Sequence, residues 1–147
     1  MSVFKGVSYA EPLTQLHKLC FKAPWSYENF FQILSLPTTF GLGDEHGFLL
    51  CSDLGEDIEI LTLAVHPSQQ RKGIASSLLN ELKQLAIQQH KKNIFLEVNC
   101  SNTPAKLLYL KNDFTQTGLR KNYYHEEGKA FDALCMTWQN PQQTAGD

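Results

Sequence analysis

The stretch LTLAVHPSQQRKGIA, residues 61–75, constrains the fold more than any other part of the chain. Leu61, Thr62, Leu63, Ala64 and Val65 read as a buried strand, and His66-Pro67-Ser68-Gln69 as a turn. Gln70, Arg71, Lys72, Gly73, Ile74 and Ala75 then open a helix that runs to about residue 90. Its apolar residues Ile74, Ala75, Leu78, Leu79, Leu82, Leu85 and Ala86 share one face, as in a helix packed on a sheet. A second apolar run, Ile94-Phe95-Leu96-Glu97-Val98, follows Lys91-Lys92-Asn93. The span from Leu63 to Ile94, about 30 residues, holds one right-handed crossover with its two strands parallel. The chain is therefore of the α/β (α+β) class. The turn has a chemical character too. A helix start presents unpaired N–H groups and the positive end of the helix dipole. Gly73 permits close backbone approach and Arg71 and Lys72 add positive charge, so the loop reads as a phosphate cradle.

The flanking segments supply the remaining layers. Residues 3–9 read as a first strand. Residues 11–21 place Leu13, Leu16, Leu19 and Cys20 at helical spacing, and Pro24-Trp25-Ser26 ends that helix. Ser26 is placed to cap a second helix from Tyr27 to about residue 35. Residues 38–43 and 48–52 read as strands joined at Asp44-Glu45-His46-Gly47. Asn102 or Thr103 caps a later helix with Pro104 in its first turn, ending near Asn112. Residues 114–119 and 130–138 read as closing strands joined by a loop over 120–128. Residues 1–139 then form a single domain, and 140–147 a polar tail without a core.

A chain of 147 residues with 42% apolar and 19% charged residues can bury one sizeable core. Its net charge of −2 argues against coating nucleic acid. Cys20, Cys51, Cys100 and Cys135 are scattered, matching neither a disulfide framework nor a zinc site and pointing to a reducing compartment. No apolar run approaches the roughly 20 residues that cross a bilayer, and no signal peptide is seen, so a cytoplasmic protein is expected.

Glu97 interrupts an apolar strand with a carboxylate. Either it is buried for chemistry, where burial favours a general base, or alternation turns it to solvent. Asp53, Glu56, Asp57 and Glu59 cluster before the central strand, as a solvated rim or an attractor of a basic peptide.

The motif Q-x-x-G-x-A (Gln70, Gly73, Ala75) after a strand ending V-x-P resembles the acyl-coenzyme-A signature of the GNAT N-acetyltransferases. Leu96-Glu97-Val98, Ser101-Asn102, Leu108-Tyr109, Arg120-Lys121-Asn122-Tyr123-Tyr124 and Asp132-Ala133 are similar to the branch that acetylates the N-terminal alanine of a small-subunit ribosomal protein. Leu107, just before Leu108-Tyr109, stands where that branch usually has Ala, and His125 where it usually has Pro. The resemblance implies a mixed, mostly antiparallel central sheet of about six to seven strands flanked by about four helices, with one parallel crossover. It implies acetyl-CoA as co-substrate, no metal, and direct transfer in a ternary complex. Glu97 would be the general base and Tyr109 the general acid. Leu63, Ala64 and Val65 would pair with the pantetheine arm. Arg71, Lys72, Gly73, Ile74, Ala75 and Ser76 would hold the pyrophosphate, and Asn102 would bond the cofactor. Tyr123, Tyr124 and Trp25 would line the acceptor site. The implied partner is the protein N-terminus of a ribosomal protein, with no direct nucleic acid, no membrane, and a monomer or weak dimer. Acceptors of another type (a small amine or a lysine side chain) and a non-catalytic acyl-CoA-binding module remain open.

Overall fold

Strict alternation along residues 93–99 settles which way the sheet faces. Ile94, Leu96 and Val98 are buried, while Asn93, Phe95, Glu97 and Asn99 are partly exposed. The computed structural model describes residues 3–143. Its strands are β1 (Val3–Phe4), β2 (Thr39–Asp44), β3 (Gly47–Asp53), β4 (Asp57–Val65), β5 (Asn93–Asn99), β6 (Thr115–Glu126) and β7 (Lys129–Gln139). Its α-helices are α1 (Ala10–Cys20), α2 (Tyr27–Leu34), α3 (Ile74–Gln88) and α4 (Thr103–Lys111). The strands form one sheet in the order β1-β2-β3-β4-β5-β7-β6. Every neighbouring pair is antiparallel except β4 and β5, the parallel pair joined through α3. This is the mixed sheet that the resemblance implies, with the one parallel crossover that the residues themselves predict.

Two apolar clusters lie on opposite faces. On one, Leu78, Leu79, Leu82 and Ala86 of α3 and Tyr109 of α4 meet Leu49, Ile58, Ile60, Ile94, Leu96, Val98, Met136 and Trp138. On the other, Leu13 and Leu16 of α1 and Phe30 and Leu34 of α2 meet Phe48, Leu50 and Ala64. That second cluster reaches only as far as β4, so the same face of β5, β7 and β6 lacks a helical cover.

Several boundaries differ from the sequence expectation. The first strand is two residues long, because Gly6 adopts φ 99° and the chain turns into a 3₁₀ segment at Val7–Tyr9. The long helix begins at Ile74 rather than Gln70, since Arg71 (φ 66°) and Gly73 (φ 79°) take left-handed conformations that a helix cannot include. The expected loop over 120–128 is mostly strand, with β6 running to Glu126 and only a tight turn at Glu127 and Gly128. Asn140, placed in the polar tail, is buried. Its N–H donates to Lys92 O and its Nδ2 to Lys91 O. Residues 144–147 lie outside the described residues.

The acidic cluster before β4 is largely spent on structure. Asp53 pairs with Lys91 at 2.7 Å, Glu56 with Lys92 at 3.4 Å, and Asp57 accepts from Asn93 Nδ2 at 3.1 Å. These contacts tie the turn before β4 to the turn before β5, where the parallel pair starts.

His17 fastens α1 to the sheet. Its Nδ1 accepts the Trp25 N–H at 3.1 Å, so Nε2 carries the ring proton and donates to Thr62 Oγ1 at 3.0 Å. Burial lowers the His17 pKa to about 4, well below the ordinary imidazole value. The folded state therefore resists protonating a ring that the unfolded chain protonates near pH 6.5. The stability held by the neutral ring is complete above about pH 6.5 and declines as pH falls toward 4. Thermal unfolding from pH 7.5 to 4.5 should show this fall, and His17→Gln should have a lower but flatter profile. An equally steep profile in the variant would place the pH dependence elsewhere.

Candidate active site

A parallel pair that is hydrogen-bonded throughout would leave no opening, but β4 and β5 part. They pair at Asp57↔Asn93, Ile58↔Ile94 and Glu59↔Phe95 and no further, although β4 continues to Val65 and β5 to Asn99. A bulge helps to separate them. On the β3 side Leu50 opposes Thr62 and Cys51 opposes Ile60, so Leu61 is the extra residue.

The register decides which backbone groups face the gap. His66 N–H donates to His46 O at 2.8 Å, and Gly47 opposes Val65. Antiparallel alternation then turns Ala64 toward Phe48, and Leu63 and Val65 away from β3. Of the three residues expected to pair with an extended arm, Leu63 and Val65 present backbone groups to the gap and Ala64 does not. The Val65 carbonyl accepts from Cys20 Sγ at 3.2 Å and Gln70 Nε2 at 3.3 Å. Gln70, the first residue of the Q-x-x-G-x-A motif, thus folds the loop back onto β4.

That loop leads into an uncapped helix end. No side chain caps α3, and the first bond into the helix runs from Ser77 N–H to Gly73 O at 2.9 Å. The N–H groups of Ile74, Ala75 and Ser76 precede it, beside the exposed Arg71 and Lys72. A Cβ at Gly73 would meet nothing within 4 Å, so glycine is required there by its positive φ and the space above the loop is open. Ser76 Oγ accepts from Asn112 Nδ2 at 3.2 Å, linking the start of α3 to the end of α4. Such a set of donors suits a pyrophosphate.

Glu97 and Tyr109 reach this region from different sides. Glu97 lies on the sheet face away from α3 and α4, yet its side chain is only 17% exposed. Its Oε2 accepts from Arg120 Nε at 2.8 Å and lies 3.7 Å from Cys135 Sγ. Tyr109 is buried in the opposite cluster with its ring edge-on to Phe114 at 5.5 Å, and burial pushes its phenol pKa up. A phenol kept protonated is a proton donor. Asn102 caps α4, its Oδ1 accepting from Ala105 N–H at 3.2 Å, so that oxygen serves the helix.

Around Glu97 the structure gathers residues that the motif pattern singled out less clearly or not at all. Glu59 is on the strand next to Glu97, and burial first, then the Glu97 charge, raises its pKa. Cys135 opposes Glu97 on β7, and burial followed by the Glu97 charge raises its pKa. Tyr124 is half-buried and raised by burial and then by the same carboxylate. Tyr123 packs edge-on to Tyr124 at 5.1 Å, and the Arg120 guanidinium lies 4.8 Å from its ring centre. The signal for Glu59 lay in the crossover itself. Aligning Ile58 with Ile94 places Glu59 one pleat from Glu97. Trp25 differs, since its partners are the rings of His17 (5.4 Å) and Phe30 (5.2 Å) in the α1–α2 cluster.

The segment RKNYY owes its shape to a bulge. Arg120 opposes Ala133 and Tyr124 opposes Phe131, so Lys121, Asn122 and Tyr123 face the single residue Asp132. Asn122 takes φ 55°, and its N–H donates to Asp132 Oδ1 at 3.0 Å. Asparagine tolerates this conformation better than most residues.

A family model described as the acetyltransferase (GNAT) family matches residues 10–114. The chain is 30% identical over 122 residues to a Bacillus subtilis protein named as a candidate ribosomal protein bS18-alanine N-acetyltransferase, covering 79% of this chain and 80% of that one. It is 28% identical over 118 residues to the Escherichia coli ribosomal protein bS18-alanine N-acetyltransferase, covering 77% and 79%. The fold matches the crystal structure of the Escherichia coli ribosomal-protein-S18-alanine N-acetyltransferase with a TM-score of 0.83 at 22% identity, covering 94% and 92%. Arabidopsis thaliana NAA60, solved in complex with acetyl-CoA, gives a TM-score of 0.75 at 22% identity, covering 94% and 98%.

If Asn122 holds the bulge, Asn122→Ala should cost roughly 1 kcal/mol, the order of the left-handed penalty, while Asn122→Gly should cost less. Urea unfolding of the two variants checks this. An Ala variant as stable as the parent would mean that the bulge does not depend on this residue.

Proposed function

The chain belongs to the GNAT acetyltransferase family, and from that premise we propose that it transfers acetyl from acetyl-CoA to the N-terminal alanine of a ribosomal protein. The observation that carries this reading is the gap between β4 and β5, which has Glu97 on one face of the sheet and Tyr109 packed on the other. The acceptor follows the named relatives, one a bS18-alanine N-acetyltransferase and the other a candidate one.

In this reading the backbone of Leu63 and Val65 pairs with the pantetheine arm, and Ala64 only shapes the strand. Arg71, Lys72, Gly73, Ile74, Ala75 and Ser76 receive the pyrophosphate, and Asn102 Nδ2 is left for the cofactor. Acetyl-CoA brings an already activated thioester, so no covalent enzyme intermediate is needed. Glu97 takes a proton from the acceptor amine as its nitrogen attacks the acetyl carbonyl. The carbon–sulfur bond then breaks, and Tyr109 gives a proton to the departing thiolate. An α-amine titrates near pH 7.7–8.0, about 2.5 units below lysine, so a weaker base serves for an N-terminus than for a lysine side chain. Holding amine and thioester in register within the gap supplies much of the acceleration. Tyr123 and Tyr124 form the acceptor wall beside Glu97, and Trp25 supports the α1–α2 connection. The domain expected over residues 1–139 acts as one unit and takes in Asn140 as well. A ribosomal-protein acceptor places the reaction in the cytoplasm. No helix among the described residues is long and apolar enough to cross a membrane.

The test is acetyl transfer to Ala-starting peptides, to the same peptides with a blocked N-terminus and an internal lysine, and to polyamines, with mass spectrometry locating the acetyl group. Acetyl on the alanine amine alone is expected. Transfer to lysine or polyamines would move the protein to another acceptor class. Glu97→Gln and Tyr109→Phe should each lower kcat by about 10²–10⁴ and leave acetyl-CoA binding intact. Unchanged kcat would remove that residue from the mechanism.

A further inference from the structure

A base that takes a proton from an amine must present one oxygen in a fixed direction, because misplacement by about 1 Å costs on the order of 10²-fold in rate. A glutamate side chain on an edge of the β4–β5 gap lacks a neighbouring strand on that side to fix it. The structure assigns the task elsewhere. Glu97 Oε2 is held by Arg120 Nε at 2.8 Å, with Cys135 Sγ at 3.7 Å, while Oε1 has no hydrogen-bond partner among the described residues. Arg120 is in turn held from two sides. Its guanidinium lies over the Tyr123 ring at 4.8 Å, and its backbone enters the bulge that the Asn122 N–H to Asp132 contact closes. The carboxylate is largely covered and the guanidinium is 57% exposed. An ion pair between two exposed, mobile side chains contributes little. This one joins a covered carboxylate to a cation splinted by an aromatic ring.

We propose that Arg120 is a positioning residue for acetyl transfer. It fixes Glu97 through Oε2 and leaves Oε1 for the acceptor amine. The inference rests on Glu97 being the base, as proposed above. It explains why arginine, two tyrosines and a left-handed asparagine occur together in RKNYY. The bulge points Arg120 at Glu97 from β6, across the width of β7.

The experiment is a double-mutant cycle read as kcat and KM with an Ala-starting peptide. The variants are Arg120→Gln, Arg120→Lys, Glu97→Gln and the Gln–Gln pair. Arg120→Gln should lower kcat about tenfold with KM for acetyl-CoA unchanged, and Arg120→Lys should recover part of that loss. In the Glu97→Gln background, Arg120→Gln should cost nothing further, since the group it positions is gone. Unfolding temperatures of the variants show whether each is folded, and the lysine variant keeps the cycle readable if the glutamine variant is not. A full tenfold loss persisting in the Glu97→Gln background would overturn the proposal. So would a rise in peptide KM with kcat intact, which would make Arg120 an acceptor contact. Parent-level kcat in Glu97→Gln alone would overturn the base assignment instead, and this inference with it.

Discussion

Three residue pairs are all that join β4 to β5, and the two strands separate beyond Glu59 and Phe95. Backbone groups that leave a ladder must find other partners or stay open to a ligand. Here Val65 O is taken by Cys20 and Gln70, while the remaining groups of Leu63 and Val65 line the gap. The Leu61 bulge turns β4 away from β5, and the cradle at the start of α3 begins where β4 ends. The site is thus an interruption in a sheet that is otherwise continuous.

The two faces of the sheet are used unequally. α3 and α4 bury one face from β2 to β7, which makes the gap rigid from behind. α1 and α2 cover the other only as far as β4. Glu59 at the edge of that cover, and Glu97, Arg120, Tyr124 and Cys135 beyond it, are charged or polar groups that a fully covered sheet would not tolerate. Their mutual influence is visible in the raised pKa values of Glu59, Tyr124 and Cys135, each pushed first by burial and then by the Glu97 charge.

Much of this frame was legible in the residues themselves. The apolar run ending at Val65, the one-sided helix and the run from Ile94 specify the crossover through local periodicity. Ser26 and Asn102 cap the helices expected of them, because a cap is a contact within three residues. What escaped was set by longer-range pairing or by single dihedral angles. The positive φ at Arg71 and Gly73 delays α3, and a bulge at Asn122 hides a strand inside RKNYY. Asp53, Glu56 and Asp57 looked like a surface cluster because their partners Lys91, Lys92 and Asn93 follow only after α3. Arg120 looked like one letter of a motif, and its partnership with Glu97 crosses from β6 over β7 to β5.

The sparse junction also bears on how the chain assembles. β2, β3 and β4 pair with their neighbours in sequence through short turns, and β6 with β7 through the turn at Glu127 and Gly128. Such hairpins close early because little chain entropy is lost. β4 and β5 must meet across 36 residues, as at Asp57 and Asn93, and gain only three residue pairs for it. β1 meets β2 and β5 meets β7 across comparable spans, so what sets the β4–β5 junction apart is how few residue pairs hold two long strands. A ligand seated in the gap would bridge β4 and β5 at that seam and act, in kinetic terms, as a brake on their separation.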